Sequence, residues 1–261
     1  MSEVLIEIDG GLTVLTLNRP NQLNAFNDAQ HLALRSALET ARDKDTCRAI
    51  LLTGAGRGFC AGQDLGDRDP DKLDSAPDLG ATIETFYNPL IRLIRSIPKP
   101  VICAVNGVAA GAGANIAFAC DLVLAAKSAK FIQAFSKIGL VPDSGGTWTL
   151  PRLIGEARAK AMILTAEPIL AEEAEHIGLI YKAVEDDKLM QETKEMATSF
   201  AAGPTFGFAL QKQALNASFD NTLDEQLDLE RDLQRQAGRS DDYAEGVRAF
   251  MQKRKPEFKG K

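Results

Sequence analysis

The sequence predicts an α/β core followed by a helical C-terminal part. Short apolar runs of strand length alternate with helical patterns through the first part of the 261-residue chain. From Glu156 onward the pattern is helical, broken at Gly178, Gly203-Pro204 and Gly238. The apolar content of 45% is ample for a core. Strands that alternate with helices, and then give way to helices, are typical of an α/β fold with a helical appendage.

The N-terminal segment predicts a hairpin, a helix and a buried strand. Residues 3–8 and 12–17 alternate in polarity around Asp9-Gly10-Gly11, which indicates a hairpin. Residues 29–42 are helical in pattern, with Asn27 or Asp28 as the cap. The apolar stripe of this helix is Leu32, Leu34, Leu38 and Ala41. Residues 49–53 form a short apolar run that predicts a buried strand.

A glycine-rich loop over residues 54–65 follows that strand. Residues 66–79 are polar and rich in Asp, Pro and Gly, so they predict a mobile loop. Residues 80–96 predict a helix that ends before Pro98.

The central stretch, residues 101–120, begins with an apolar β-branched run that predicts a buried strand. Asn106 and Gly107 interrupt it, and a Gly/Ala segment then leads into a helix that starts near Gly111 or Ala112. Small residues let a backbone or a ligand approach closely. The first amides of a helix are unpaired and could bind a developing oxyanion. The alternative interpretation is a tight strand–helix crossover with small residues for packing, and this stretch alone favours that alternative.

Further along the chain, residues 122–125 and 130–132 predict short strands. Residues 142–146, Pro-Asp-Ser-Gly-Gly, form a turn pattern that opens another helix.

Composition excludes several classes of partner. The net charge of −6 disfavours general binding to nucleic acids or anionic membranes. The four cysteines lack metal-ligand spacing and indicate reduced thiols in a cytoplasmic protein. They are Cys47, Cys60, Cys103 and Cys120. No apolar run reaches the length of a transmembrane helix, and the N-terminus lacks a signal-peptide pattern.

Common catalytic motifs are absent from the sequence. There is no phosphate-binding P-loop, and Ile116 stands where the dinucleotide fingerprint that begins at Gly111 needs its third glycine. Ser144 lacks the nucleophile-elbow pattern. His31 is expected on a polar helix face and His176 just before a helix end, so surface or packing roles are predicted for both.

Two glycine-rich turns, residues 60–64 and 111–113, provide candidate amides for an enolate oxygen. An enolate mechanism also needs a proton carrier, and Asp143 is the best candidate. The alternative role of Asp143 is a helix N-cap, and that of Asp64 is a loop aspartate that accepts bonds from nearby amides.

Taken together, the motifs resemble those of the crotonase superfamily, the enoyl-CoA hydratase/isomerase family, over nearly the whole chain. The matching segments are Leu17-Asn18-Arg19-Pro20, Leu23-Asn24-Ala25, residues 58–65 (Gly-Phe-Cys-Ala-Gly-Gln-Asp-Leu), Ala104-Val105-Asn106-Gly107, Cys120-Asp121 and residues 139–147. Within the family, residues 86–89, 134–137, 227–232 and 237–240 resemble the ring isomerases of phenylacetate catabolism.

This resemblance implies a spiral core of ββα units over residues 1–200. It also implies a helical trimerisation region over residues 201–261, and a homotrimer or a hexamer made of two trimers. The expected substrate is an acyl-CoA thioester, with no other cofactor, no metal, and no nucleic-acid or membrane partner.

The resemblance also implies site residues. It places the oxyanion-hole amides at Gln63 and Ala112. It implies CoA contacts from Leu23, Ala25, Ala61, Asp64 and Leu65, and contacts near the nucleotide end from Phe250 and Lys253 of a neighbouring subunit.

The departures from the family pattern decide the expected reaction. Family hydratases use two glutamates, and their positions correspond to Asn115 and Phe135 here. Asp143 matches the single carboxylate of family isomerases. We therefore expect an acyl-CoA isomerase that moves one proton through a thioester enolate, acting on a ring-epoxidised substrate. The alternatives are a cis-3/trans-2 enoyl-CoA isomerase, then a hydratase, then a non-catalytic scaffold that binds CoA esters.

Overall fold

The computed structural model describes residues 2–68 and 75–261, and its strands form two sheets. The strands are β1 (Val4–Asp9), β2 (Leu12–Leu17), β3 (Ala49–Gly54), β4 (Gly58–Cys60), β5 (Val101–Val105), β6 (Val108–Ala110), β7 (Leu122–Ala126), β8 (Lys130–Ile132), β9 (Ile169–Leu170) and β10 (Lys182–Val184). The larger sheet has the order β1-β2-β3-β5-β7-β10, and the smaller has the order β4-β6-β8-β9. Only the β1–β2 and β8–β9 pairs of these strands are antiparallel.

Helices connect and cover the two sheets. They are α1 (Asp28–Asp43), α2 (Leu79–Thr82), α3 (Asn88–Ser96), α4 (Ala112–Ala119), α5 (Gly146–Thr165), α6 (Ala171–His176), α7 (Leu189–Ala201), α8 (Thr205–Ala217), α9 (Leu223–Ala237) and α10 (Asp241–Met251). A π-helical segment, Ile83–Tyr87, joins α2 to α3. The predicted helix over 80–96 is therefore confirmed as a helical segment with one widened turn.

A repeated ββα unit organises the core. Strands β3, β5 and β7 enter the larger sheet, and the strand after each of them enters the smaller one. This is the spiral that the resemblance implies, and it confirms the predicted fold class. Every residue of β3 and β5 is buried, as expected for parallel strands covered on both faces.

Several local predictions are confirmed. The hairpin pairs Val4 with Leu17, and Asn27 caps α1 by accepting a hydrogen bond from the Gln30 amide. The helix after the central strand begins at Ala112.

Other predictions are wrong. Four strands of two or three residues each were not predicted, namely β4, β6, β9 and β10. Leu32 is 51% exposed rather than part of the buried stripe, because the buried face of α1 runs through Leu34, Leu38 and Ala41. The predicted mobile loop over 66–79 stays a prediction: Gly66–Arg68 form a 3-10 turn, and residues 69–74 lie outside the described residues.

The C-terminal helices end in an anchored tail. The buried Asp242 carboxylate accepts hydrogen bonds from the Lys259 and Gly260 amides, and Arg48 donates to the Phe258 carbonyl. These contacts hold the tail against α10 and against the segment that precedes β3. The boundary between the two predicted regions at residue 200 stays a prediction. In the described part of the chain, none of the helices has the length and apolar character needed to span a bilayer.

Candidate active site

Two backbone turns lie side by side at one end of the smaller sheet. Strands β4 and β6 are parallel neighbours, with Cys60 opposite Ala109, so the turns that follow them emerge together. The approach is close: a Cβ on Gly62 would lie 2.9 Å from the Ala110 carbonyl oxygen and 3.6 Å from the Ala112 nitrogen. Only glycine fits at position 62, which also has φ +92°.

The amide of Gln63 points away from its bridge partner. Phe26 donates to the Gly62 carbonyl at 2.7 Å and accepts from the Asp64 amide at 2.9 Å, forming a parallel bridge around Gln63. In such a bridge the middle residue directs its own N–H to the opposite side. The Gln63 amide has no hydrogen-bond partner among the described residues.

The second amide is that of Ala112, the first residue of α4. Gly111 takes φ 53° and ψ −127° to reverse the chain here, and the Ala112 amide is likewise unpartnered within residues 2–68 and 75–261. Helix α4 is buried along its whole length, so this N-terminal amide and the positive end of the helix dipole lie in a dry place. Two such amides could bind an oxygen that gains negative charge.

Small residues bring α4 against β4. A Cβ on Gly113 would lie 2.4 Å from the Cys60 carbonyl oxygen and 2.7 Å from its sulfur. Small residues therefore serve close packing at the same turn that leaves the Ala112 amide unpartnered among the described residues, and the two interpretations of this stretch do not compete.

Asp143 is a partly buried carboxylate that does not cap α5. The N-cap position belongs to Gly145, no side chain caps this helix, and the helix begins at Gly146. The N-cap alternative is therefore wrong. Ser144 has φ 52° and donates its hydroxyl to the Asp143 carboxylate at 2.9 Å. Burial raises the pKa of Asp143, while the Ser144 hydrogen bond and the charge of Arg68 oppose that rise. A raised pKa suits a general base near neutral pH.

Asn115 links the Asp143 loop to α4. Its side-chain nitrogen donates to the Asp143 carbonyl at 2.8 Å, and its oxygen accepts from Gln133 at 2.8 Å. Asn115 lies three residues after Ala112, about 4.5 Å along the helix axis. The side chain is 2% exposed and is used for this bridge. Asp143 and the Ala112 amide are thus held by the same short helix.

Phe135 packs over the second turn. Its ring atoms would lie 3.6 and 3.7 Å from a Cβ on Gly111, and the side chain is 7% exposed. An apolar ring therefore stands beside the unpaired Ala112 amide.

The five predicted CoA-contact residues meet on adjacent segments. The Ala61 amide donates to the Leu23 carbonyl at 3.0 Å, and Arg19 bonds both the Ala25 carbonyl and the Asp64 carboxylate. Leu65 follows and is 52% exposed. Asp64 also accepts from the Gly66 amide at 3.0 Å, so its alternative role as a loop acceptor is confirmed, and that bond and Arg19 hold its pKa below the usual range.

Phe250 and Lys253 are at the end of α10. Phe250 is 85% exposed, and none of the described hydrogen bonds connects either side chain to the two turns. Their predicted role in a neighbouring subunit's site stays a prediction.

His31 is buried in an aromatic cluster and does not lie on a polar face of α1. It is 3% exposed, with ring centroids 4.5 Å from Phe26, 5.0 Å from Phe86 and 4.4 Å from Tyr87. The expected polar helix face is wrong at this position, and the predicted packing role holds. Burial, with the nearby charge of Arg68, lowers the pKa of His31 to about 3. His176 is exposed on α6, as predicted.

Two residues near the site were not singled out in the sequence. Arg68 donates to the Thr82 hydroxyl at 3.1 Å and acts electrostatically on Asp143. Tyr87 donates to the Gln63 side chain at 2.9 Å. The sequence signal for Arg68 was an arginine in a polar loop, and that for Tyr87 was its place in the segment 86–89 that resembles the ring isomerases.

Comparisons with known proteins identify the family of the chain. The sequence model of the Enoyl-CoA hydratase/isomerase family matches residues 7–261. The chain is 56% identical to the 1,2-epoxyphenylacetyl-CoA isomerase of Escherichia coli K12 over 261 residues, covering 100% of both. It is 50% identical to a protein of Rhodobacter capsulatus named "probable enoyl-CoA hydratase", covering 98% of this chain and 97% of that one.

A solved structure shares the fold. The crystal structure of an enoyl-CoA hydratase from Polaromonas sp. JS666 superimposes with a TM-score of 0.90 at 34% identity, over 98% of this chain and 99% of that chain. The sequence and the fold both match, and this chain belongs to the enoyl-CoA hydratase/isomerase family.

Proposed function

We propose that the protein is an acyl-CoA isomerase that converts 1,2-epoxyphenylacetyl-CoA to the oxepin-CoA isomer in phenylacetate degradation. One observation carries the proposal: a single half-buried carboxylate, Asp143, is tied through Asn115 to the helix that offers the Ala112 amide. The similarity to the Escherichia coli isomerase supports the choice of substrate.

The proposed reaction moves one proton and leaves the redox state unchanged. Asp143 takes the α-proton, and the electron pair of that C–H bond enters an enolate whose oxygen is bound by the Gln63 and Ala112 amides. The enolate electrons then form an exocyclic double bond as the bond between the two epoxide carbons breaks to give the seven-membered oxepin. The electron pair of the broken bond is delocalised over the ring diene, where it accepts the proton. Asp143 returns the proton to a ring carbon. No cofactor is needed, since CoA is part of the substrate.

The neighbours of the two turns favour isomerisation over hydration. Hydration requires a water that is held and deprotonated while a second group delivers a proton. The positions of the two hydratase glutamates hold Asn115, whose side chain bonds Asp143 and Gln133, and the apolar ring of Phe135. An aromatic ring is suited to flank a planar or aromatic acyl group.

The CoA moiety is proposed to bind along Leu23, Ala25, Ala61, Asp64 and Leu65. Phe250 and Lys253 would contact its nucleotide end from a neighbouring subunit of a trimer or hexamer in the cytoplasm. Exposed apolar side chains on α9 and α10, at 53% for Leu227 and 77% for Met251, support such an assembly. Light scattering that gives only monomer at micromolar concentration would contradict the assembly.

A product assay tests the proposed function. Purified protein is incubated separately with 1,2-epoxyphenylacetyl-CoA, a cis-3-enoyl-CoA and crotonyl-CoA, and the products are identified by mass spectrometry and NMR. Oxepin-CoA as the fastest product is expected. Faster conversion of the cis-3-enoyl-CoA would identify an enoyl-CoA isomerase as the function, with the same transfer of one proton by Asp143. Faster hydration of crotonyl-CoA would refute the isomerase, and binding without any turnover would identify a scaffold.

A further inference from the structure

The Gln63 side chain is engaged by three hydrogen bonds away from the space between the two turns. Its nitrogen donates to the carbonyls of Phe26 at 3.0 Å and Asp64 at 3.3 Å, and its oxygen accepts from the Tyr87 hydroxyl at 2.9 Å. The backbone amide of the same residue is the one left unpartnered among the described residues. Fixing the side chain therefore restricts rotation of the peptide that carries that amide.

Tyr87 is built as a rigid donor. It is 2% exposed, and its ring contacts Phe26 at a centroid distance of 6.3 Å and His31 at 4.4 Å, both edge to face. Burial, with the nearby charge of Asp143, raises the pKa of Tyr87 above its usual range. The hydroxyl therefore stays protonated and donates its hydrogen to Gln63 throughout the neutral pH range.

The position of Tyr87 in the chain depends on an irregular backbone. It is the last residue of the π-helical segment Ile83–Tyr87, where the Asn88 amide donates to the Ile83 carbonyl. Such widened turns occur often at functional sites because they redirect side chains within a helix. Here the segment brings Phe86 and Tyr87 together against His31, on the side of α1 that faces Phe26.

We infer that Tyr87 is a positioning residue for the oxyanion hole, whose hydroxyl acts through the Gln63 side chain to hold the Gln63 amide in its productive direction. The inference deepens the proposed function, because it takes the thioester oxygen as the group that this amide binds. It predicts an effect on enolate formation rather than on substrate affinity, since an oxyanion gains more from an aligned donor than a ground-state carbonyl does.

The first test is Tyr87→Phe, which keeps the ring and removes the hydroxyl. We expect kcat to fall on the order of tenfold with KM nearly unchanged, less than the loss of about 10²–10³-fold that follows outright removal of an oxyanion donor. Tyr181→Phe is the matched control, because Tyr181 is 56% exposed and its amide bonds the Val123 carbonyl of β7 in the larger sheet. A tyrosine that only fills the core would leave kcat at the wild-type value when it is replaced by phenylalanine.

The second test reads the carbonyl directly and needs no turnover. Phenylacetyl-CoA labelled with carbon-13 at the thioester carbonyl is bound to each variant, and its stretching band is measured by isotope-edited infrared spectroscopy. Wild type and Tyr181→Phe should shift the band to lower wavenumber than free ester, and Tyr87→Phe should shift it less. If wild type shifts the band and turns over no epoxide, the proposed function fails while the inference stands.

A double-mutant cycle makes the inference falsifiable even if one variant folds poorly. Gln63→Met removes the polar end of the side chain and should reproduce the smaller band shift, and adding Tyr87→Phe should cause no further loss. Independent, multiplying effects on kcat would overturn the inference, as would a wild-type band in Tyr87→Phe. If thermal melting shows that Tyr87→Phe is unfolded, the infrared band of Gln63→Met tests the inference by itself. A wild-type band shift in Gln63→Met would refute the positioning role of Tyr87.

Discussion

Replacing Asp143 with asparagine tests the proposed base with little change of shape. The Ser144 hydroxyl can still donate to the side-chain oxygen, and the Asn115 bond goes to the backbone carbonyl of residue 143, which the substitution leaves in place. The change therefore removes the basic carboxylate and leaves its supports. Loss of a general base lowers kcat by about 10²- to 10⁴-fold, whereas the affinity for a CoA ester should stay near the wild-type value.

The same substitution makes a prediction about stability, with a defined sign. Burial raises the pKa of Asp143 in the folded protein, so this group favours folding most when it is protonated at low pH. That contribution is lost as the pH rises through the raised pKa, and the buried charge then weakens folding. Asp143→Asn should consequently melt at the wild-type temperature or above it at pH 7.

The assay combines turnover of the epoxide ester, calorimetric binding of phenylacetyl-CoA, and thermal melting. Asp187→Asn is the matched control, because Asp187 is an exposed turn residue between β10 and α7. Wild-type kcat/KM should rise with pH through the pKa of Asp143, and the residual activity of Asp143→Asn should lack that rise. Near-normal turnover by Asp143→Asn would show that Asp143 is not the catalytic base. If the melting temperature of that variant also fell markedly, the role of Asp143 would be to stabilise the fold.

Three further predictions concern the surroundings of the site. Arg68→Gln should move the rise of kcat/KM to higher pH, because the Arg68 charge lowers the pKa of Asp143. The control Arg158→Gln changes an exposed arginine and should leave the pH profile in place. An unchanged profile in Arg68→Gln would show that Arg68 has no electrostatic effect on Asp143. Gly113→Ala places a Cβ 2.4 Å from the Cys60 carbonyl oxygen, so it should lower the free energy of unfolding by about 1–3 kcal/mol and reduce turnover; a wild-type melting curve would contradict this contact. Crotonyl-CoA hydration, followed by loss of the conjugated enoyl absorbance, should be negligible, and a rate comparable to isomerisation would refute the assignment.

Much of the fold follows from local sequence patterns. The alternation over residues 3–17 predicts the hairpin, and Asn27 caps α1 because its side chain reaches an amide three residues away. The buried strand β5 and the start of α4 at Ala112 are equally local, since each depends on residues within a few positions. The motifs that surround Gln63 and Asp143 were enough to predict the family and the reaction class.

The shortest strands needed the tertiary structure. Strands β4 and β6 have three residues each, and their pairing joins segments that lie tens of residues apart. A strand of that length has no periodicity to detect, because its stability comes from its neighbours in the sheet. The side-by-side placement of the two turns that carry the unpaired amides depends on this pairing.

The sequence by itself determined the order of the main elements and the family, and it singled out Asp143 as the candidate carboxylate for a proton shuttle. Only the tertiary structure decided what each polar group contacts. His31 is buried because Phe86 and Tyr87, which lie more than fifty positions later, cover it. The Asn115 side chain donates to the backbone carbonyl of Asp143, 28 residues away. Such contacts are set by packing between distant segments, which no local pattern encodes, and they are what converts two glycine turns and an aspartate into a candidate site.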